Sequence, residues 1–99
     1  MNQRTEELKQ RTKQFALRVI RVCRSLPASP EARIMQNQLL RCGTAVGANY
    51  RAVCRSRSDP DFVSKIGVVL EEADESVFWL ELLVDSGLIR QEKICDLMS

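Results

Sequence analysis

Ninety-nine residues, 44% of them hydrophobic and 28% charged, suffice for one thinly cored domain and leave too little for a second. No apolar run approaches the ~20 residues of a membrane span, and the polar opening MNQRTEELKQRTKQ has no h-region, so a cytoplasmic protein without membrane contact is expected. The net charge of +2 hides a division: residues 1–58 hold twelve Lys and Arg against three Glu, residues 59–99 three against ten Asp and Glu. Such segregation serves pairing between helices, an anionic partner, or both.

Thr5 followed by Glu6 and Glu7 opens a first helix, predicted over about 5–25, because acids favour a helix's positive end. It stops before Leu26-Pro27, since a residue preceding proline avoids the helical region. Leu8, Phe15, Val19, Val22 and Leu26 form its apolar stripe, widened by Ala16, Ile20 and Cys23. Arg4, Arg11 and Arg18 recur at seven-residue steps along one edge of that stripe, with Arg21 close by.

Ser29-Pro30-Glu31 reads as an N-cap, a proline at the first helical position and an acid in the first turn. The helix it opens is predicted to run over 30–57, with Met35, Leu39, Cys42, Val46 and Val53 in line. That periodicity passes through Gly43 and Gly47 without losing phase. The phosphate-loop pattern GxxxxGK[ST] and the dinucleotide pattern GxGxxG are both missing. Helical glycines cost about 1 kcal/mol each relative to Ala. Close approach of another helix, along a small-residue surface of Gly43, Gly47, Ala48 and Ala52, is expected to offset it. Arg33, Arg41, Arg51 and Arg55 fall within an arc of roughly 80° on an ideal wheel, away from the apolar stripe, and Arg57 adds charge at the helix end.

Asp59-Pro60-Asp61 repeats the same grammar and opens a third helix over about 60–86, for which Gly87 is a natural C-cap. Its expected seam is Phe62, Ile66, Leu70, Ala73, Val77, Leu80 and Val84. Val68, Trp79, Leu82 and Leu83 lie off that seam, with Phe78 between acidic positions. Apolar residues on a second side, in a chain too short for a large core, make Val68, Phe78, Trp79, Leu82 and Leu83 candidates for a homo-oligomer interface. A short fourth helix is expected over 91–98. The fold class is therefore all-α: an antiparallel up-and-down four-helix bundle of three long helices and a short or truncated fourth.

The chain has four cysteines without a CxxC pair and no histidine. Reduced, packed thiols are expected, with no metal and no cofactor. The acidic run at Glu71, Glu72, Asp74 and Glu75 lacks the Glu-x-x-His of di-iron bundles and reads as a solvated or ion-paired face. With no histidine base and no nucleophile elbow, no catalytic residue is assigned; an enzyme and a small-molecule substrate are not expected.

Two readings of the arginines compete. They pair with Glu71, Asp74, Glu75, Glu81 and Asp85 of the third helix, in a structural or protein-binding oligomer. Alternatively Arg11, Arg18, Arg21, Arg33, Arg41, Arg51, Arg55 and Arg57 contact the phosphates of a nucleic acid. Tyr50 and Trp79, the sole Tyr and Trp, make no stacking platform for single-stranded bases, so backbone or shape recognition is the expected mode.

The segment NQLLRCGTAVGANYRAVCRSRSDPDFVSKIGVVLEEADESVFWLELLVDSGLI, residues 37–89, resembles the bacterial four-helix-bundle family encoded by intervening sequences within 23S ribosomal RNA genes, as does FALRVIRVCRSLP in the first helix. The matching motif positions are Asn37, Arg41, Gly43, Gly47, Asn49, Tyr50 and Arg51, then Glu71, Glu72, Asp74, Glu75, Trp79 and Glu81. The resemblance implies small cytosolic proteins assembled as five-subunit rings, with ribosomal or other structured RNA as a partner. None of these positions is an established catalytic residue of the family. A more distant relation, the accessory protein of diversity-generating retroelements, works with a reverse transcriptase and nucleic acid. Family members usually carry a longer fourth helix, so the fourth side is expected to be truncated, completed by a neighbouring subunit, or open.

Overall fold

The computed structural model describes residues 2–99, which form four α-helices and no strand: α1 (Gln3–Ser25), α2 (Pro30–Val53), α3 (Asp59–Asp85) and α4 (Gln91–Met98). Each long helix begins on a side-chain cap. The Asn2 carboxamide oxygen accepts from the Thr5 N–H at 2.8 Å, the Ser29 hydroxyl from Ala32 at 3.2 Å, and the Ser58 hydroxyl from Asp61 at 3.2 Å. Such a cap contributes about 1 kcal/mol. The first cap is thus Asn2, which starts α1 two residues earlier than the Thr5 start expected.

α2 is one continuous helix through Gly43 and Gly47, but it ends at Val53 rather than at 57. Its last turn tightens, with the N–H groups of Arg55 and Ser56 bonding Ala52 and Val53 carbonyls at 3.1 and 3.0 Å. Ser58 must then turn fully extended to cap α3, and a helix running to 57 leaves no residues for that reversal. α3 is closed by Gly87, two residues past its last helical residue, whose φ of 81° only glycine adopts readily. The Gly87 N–H bonds the Val84 carbonyl at 3.0 Å and the Leu88 N–H the Leu83 carbonyl at 3.2 Å, a Schellman closure.

α2 is the central element: α1 and α3 both pack along it, and α4 packs on α1. The interior has two clusters. Towards the α4 end, Val19, Val22, Cys23, Leu39, Leu83, Ile89 and Ile94 come together. Towards the other end, Val46, Tyr50, Val53 and Val69 meet, with Leu8, Phe15 and Ile66 against them. The stripes expected on α1 and α2 are the ones that turn inward.

On α3 the inward line is different. Val69, Ser76 and Leu83, seven residues apart, are its buried residues. Three members of the expected seam, Phe62, Leu70 and Val77, are 46%, 60% and 52% exposed. The correction has a physical cause. α3 is apolar around more than half its circumference, and its own periodicity cannot say which flank meets α2. Ser76 sits in the interior because its hydroxyl donates to the Glu72 carbonyl at 2.8 Å, while its oxygen lies 3.3 Å from the Cys42 sulfur.

Candidate functional site

Arg41 is the one arginine that the fold ties to the acidic helix among the described residues. One guanidinium nitrogen lies 3.1 Å from a Glu72 oxygen, and the other contacts Glu75. The same Glu75 oxygen accepts the Trp79 indole N–H at 3.2 Å. The indole hydrogen bond and then the Arg41 guanidinium hold the Glu75 carboxyl below its ordinary range, and the bond to Glu75 raises the Arg41 pKa in turn. Arg41 thereby joins α2 to α3 and fills its fork within the chain.

The remaining arginine candidates are distributed over several surfaces. Arg33 and Arg51 are exposed on α2. Arg55 and Arg57 are exposed in the turn after it, so they do not extend the helical arc as expected. The Arg57 backbone N–H donates to the Asp61 carboxylate at 3.1 Å, and Lys65 bonds the same oxygen at 2.9 Å, which fixes this turn and lowers the Asp61 pKa, the Lys65 bond foremost. On α1, Arg21 is exposed, while Arg11 and Arg18 line a groove with Leu8, Phe15, Val46 and Ala73. The eight arginines thus do not form one stripe.

The fold instead assembles a basic surface that the arginine pattern did not contain. Lys9 and Lys13 of α1 and Arg51 of α2 border a shallow groove whose other residues are Ala16, Thr44, Gly47 and Ala48. The signal for the lysines was their spacing of four, which places both on one flank of α1, but arginine periodicity drew attention to the opposite edge. Lys9 also reaches Glu6 at 3.8 Å. The hydroxyl of Thr44 is turned back to the Leu40 carbonyl at 2.6 Å and gives the groove no strong polar feature.

The small-residue surface of α2 divides. A Cβ on Gly43 would meet Val19 methyls, and one on Gly47 would stand 3.3 Å from the Thr12 carbonyl oxygen of α1. These two positions leave α1 and α2 no room for a larger side chain between them. Ala48 is exposed and Ala52 only half-buried, so the stripe's outer half is not used in the same way.

Of the interface candidates on α3, Leu83 is fully buried in the chain's own core and cannot face a neighbouring subunit. Leu82 is half-buried, and Trp79 packs against the core cluster with its N–H on Glu75. Val68 and Phe78 are exposed, the latter edge-on to Trp79 at 5.0 Å between centroids. The exposed apolar residues Val63, Leu70 and Val77 lie on another flank.

No helix among the described residues is long and apolar enough to cross a membrane. The class these observations define is an all-α bundle, central α2 flanked by α1 and α3, with cations concentrated on its first two helices. The chain belongs to the 23S rRNA-intervening sequence protein family, whose profile matches residues 4–99. The crystal structure of a protein of unknown function from the S23 ribosomal protein family of Bacteroides thetaiotaomicron is similar to it. That protein is 33% identical, the match covers 92% of this chain and 84% of that one, and the TM-score is 0.81. A search of curated proteins returned no match.

Proposed function

We propose that this chain is a self-associating, non-enzymatic helical subunit that binds structured RNA, ribosomal RNA foremost, through phosphate contacts from the α1/α2 side. The observation that carries the reading is how little of the basic charge the fold neutralises. Of the arginines on α1 and α2, Arg41 alone meets a carboxylate of α3, although Asp74, Glu81 and Asp85 stand exposed on the same molecule. Lys13, Arg33, Arg51 and Arg55 remain at the surface, where several cations on adjoining helices suit a polyphosphate backbone. The names of the family and of its structural neighbour, which refer to 23S rRNA and to the ribosome, support the same partner. Self-association, with a ring of five as the expected form, is supported by the apolar residues left exposed on α3.

Binding of structured RNA across a salt series tests it. Several phosphate contacts are expected to give a log–log slope steeper than about −3. Lys13→Ala and Arg51→Ala should each make that slope shallower by about 1 and weaken all sequences alike. No binding at low salt would overturn the RNA reading. The alternative, a structural or protein-binding oligomer whose arginines meet its own carboxylates, is favoured by the Arg41–Glu72–Glu75 cluster. It predicts that Arg51→Ala lowers stability or assembly mass, whereas a phosphate-binding arginine is replaceable with little thermal loss.

A further inference from the structure

We propose that the α1/α2 face holds one double-stranded RNA helix at two separate points, Arg24 with Arg33 at one end and Lys13 with Arg51 at the other, and so selects a continuous duplex over a single strand. The inference rests on the RNA reading above. It names the class of RNA and adds a residue, Arg24, that the arginine pattern left out.

Helix geometry puts the four cations on one side of the molecule. Lys13 and Arg51 border the same shallow groove between α1 and α2. Arg24 follows Lys13 by eleven residues, three turns and about 20° further round α1, and Arg33 precedes Arg51 by eighteen, five whole turns of α2. Each therefore keeps the flank of its counterpart in the groove. The Cys23 thiol meets the Gln36 carbonyl at 3.7 Å, which sets the end of α1 carrying Arg24 beside the start of α2 carrying Arg33. The two cation pairs thus stand about 16.5 Å apart along α1 and about 27 Å apart along α2. All four residues are exposed, and none makes an ion pair among the described residues. From Leu8 to Pro30 and from Ala32 to Ser58 the chain has no Asp or Glu, so no carboxylate of these helices stands between the pairs.

What lies between the pairs decides the ligand. Leu17 and Leu40 are 43% and 37% exposed there, beside the small side chains of Ala16, Thr44 and Ala48. The Thr44 hydroxyl is already committed to the Leu40 carbonyl. The aromatic residues of the two helices face elsewhere, Tyr50 into one core cluster and Phe15 against both. A single strand bound here turns its bases onto a surface with nothing to stack on, although stacking carries much of single-strand affinity. A duplex keeps its bases stacked inside and offers phosphates and riboses. Its A-form minor groove is wide and shallow, so a smooth uncharged strip can lie over the sugars while the cation pair at either end reaches the phosphates bordering it. A stiff duplex also spans both points without the ordering cost that a flexible strand incurs.

The test titrates the full chain, across a salt series, with an RNA duplex of about 16 base pairs and with each of its strands alone, chosen not to fold on themselves. The duplex should bind at least about tenfold more tightly than either strand. Arg24→Ala and Arg33→Ala should each make the duplex log–log slope shallower by about 1, with the helical circular dichroism unchanged. Arg11→Ala is the control, because Arg11 lies on the edge of α1 that borders Ala73 of α3, and it should leave the slope as it is. Equal affinity for strand and duplex, or a slope that Arg24→Ala and Arg33→Ala do not move, overturns the two-point hold and leaves RNA binding standing. An Arg11→Ala effect as large as theirs overturns it as well, since charge rather than placement then sets the contact. No binding of either RNA at low salt overturns the RNA reading and this inference together.

Discussion

A Cβ placed on Gly43 would stand 2.8 Å from both γ-methyl groups of Val19, a residue fully buried on the facing helix. That single approach sets how near α1 lies to α2, and the Val19 branch cannot swing away inside a filled core. Gly43→Ala should therefore lower unfolding free energy by about 1–3 kcal/mol through overpacking, despite the better helix propensity of alanine. Gly67 of α3 is the matched control, because a Cβ there meets nothing within 4 Å. Gly67→Ala should raise stability by about 0.5–1 kcal/mol. Urea titrations followed by circular dichroism read both; the same sign for the two variants would refute the close-approach account.

Leu83 and Val68 separate core from surface on one helix. Leu83 is fully buried and Val68 is 42% exposed. Leu83→Ala should cost about 2–5 kcal/mol, since the side chain's contacts and the cavity it leaves both count. Val68→Ala should cost well under about 1 kcal/mol. Equal losses in thermal melts would mean that the rotation of α3 described above is wrong.

Glu75 gives a pH dependence of defined sign. Its folded carboxyl lies below the ordinary value of 4.5, through the Trp79 indole and then Arg41. The stability it contributes is fully present above 4.5 and is lost as pH falls through the lower folded value. Wild type should thus lose more stability than Glu75→Gln on acidification below about pH 4.5. Trp79 fluorescence should report the same protonation in the folded protein. Parallel stability curves for the two proteins would remove Glu75 from the acid response.

The four thiols should differ in reactivity. Burial first, and neighbouring Cys42 second, push the Cys23 thiol up to about 11; burial likewise raises Cys42. Cys95 is exposed. The thiolate is the reactive form. At about pH 8 a chromogenic disulfide reagent should therefore label Cys95 first, and Cys23 and Cys42 only as the chain unfolds. Labelling followed by peptide mass spectrometry assigns the order, and early modification of Cys23 would contradict its packing.

The interface residues were only partly readable from the pattern. Gly43 and Gly47 stood out because a glycine inside a periodic helix needs a compensating contact, and the contact is there on α1. An apolar residue off the expected seam looks like surplus surface, which is why the pattern places Leu83 outside the core. It errs in the opposite sense at Phe62, Leu70 and Val77, whose spacing looks like core. Both differences come from one rotation of α3. Arg55 and Arg57 fall in a turn because the approach to Ser58 ends α2 four residues sooner than its periodicity suggests, and the spacing of Lys9 and Lys13 is masked by a stronger arginine rhythm.

Local chemistry decides matters within a turn or two of the chain, so the sequence by itself determined the four helices and the inward stripes of α1 and α2. Ser29, Pro30, Ser58, Pro60 and Gly87 act on their own neighbours, and no distant residue is needed to place them. Only the tertiary structure decided the rotation of α3 and the choice of Arg41 as the arginine that meets Glu72 and Glu75. Those are contests between surfaces of similar polarity on different helices. Their outcome depends on which packing removes more apolar area and satisfies more buried donors, quantities that do not exist until the helices are side by side.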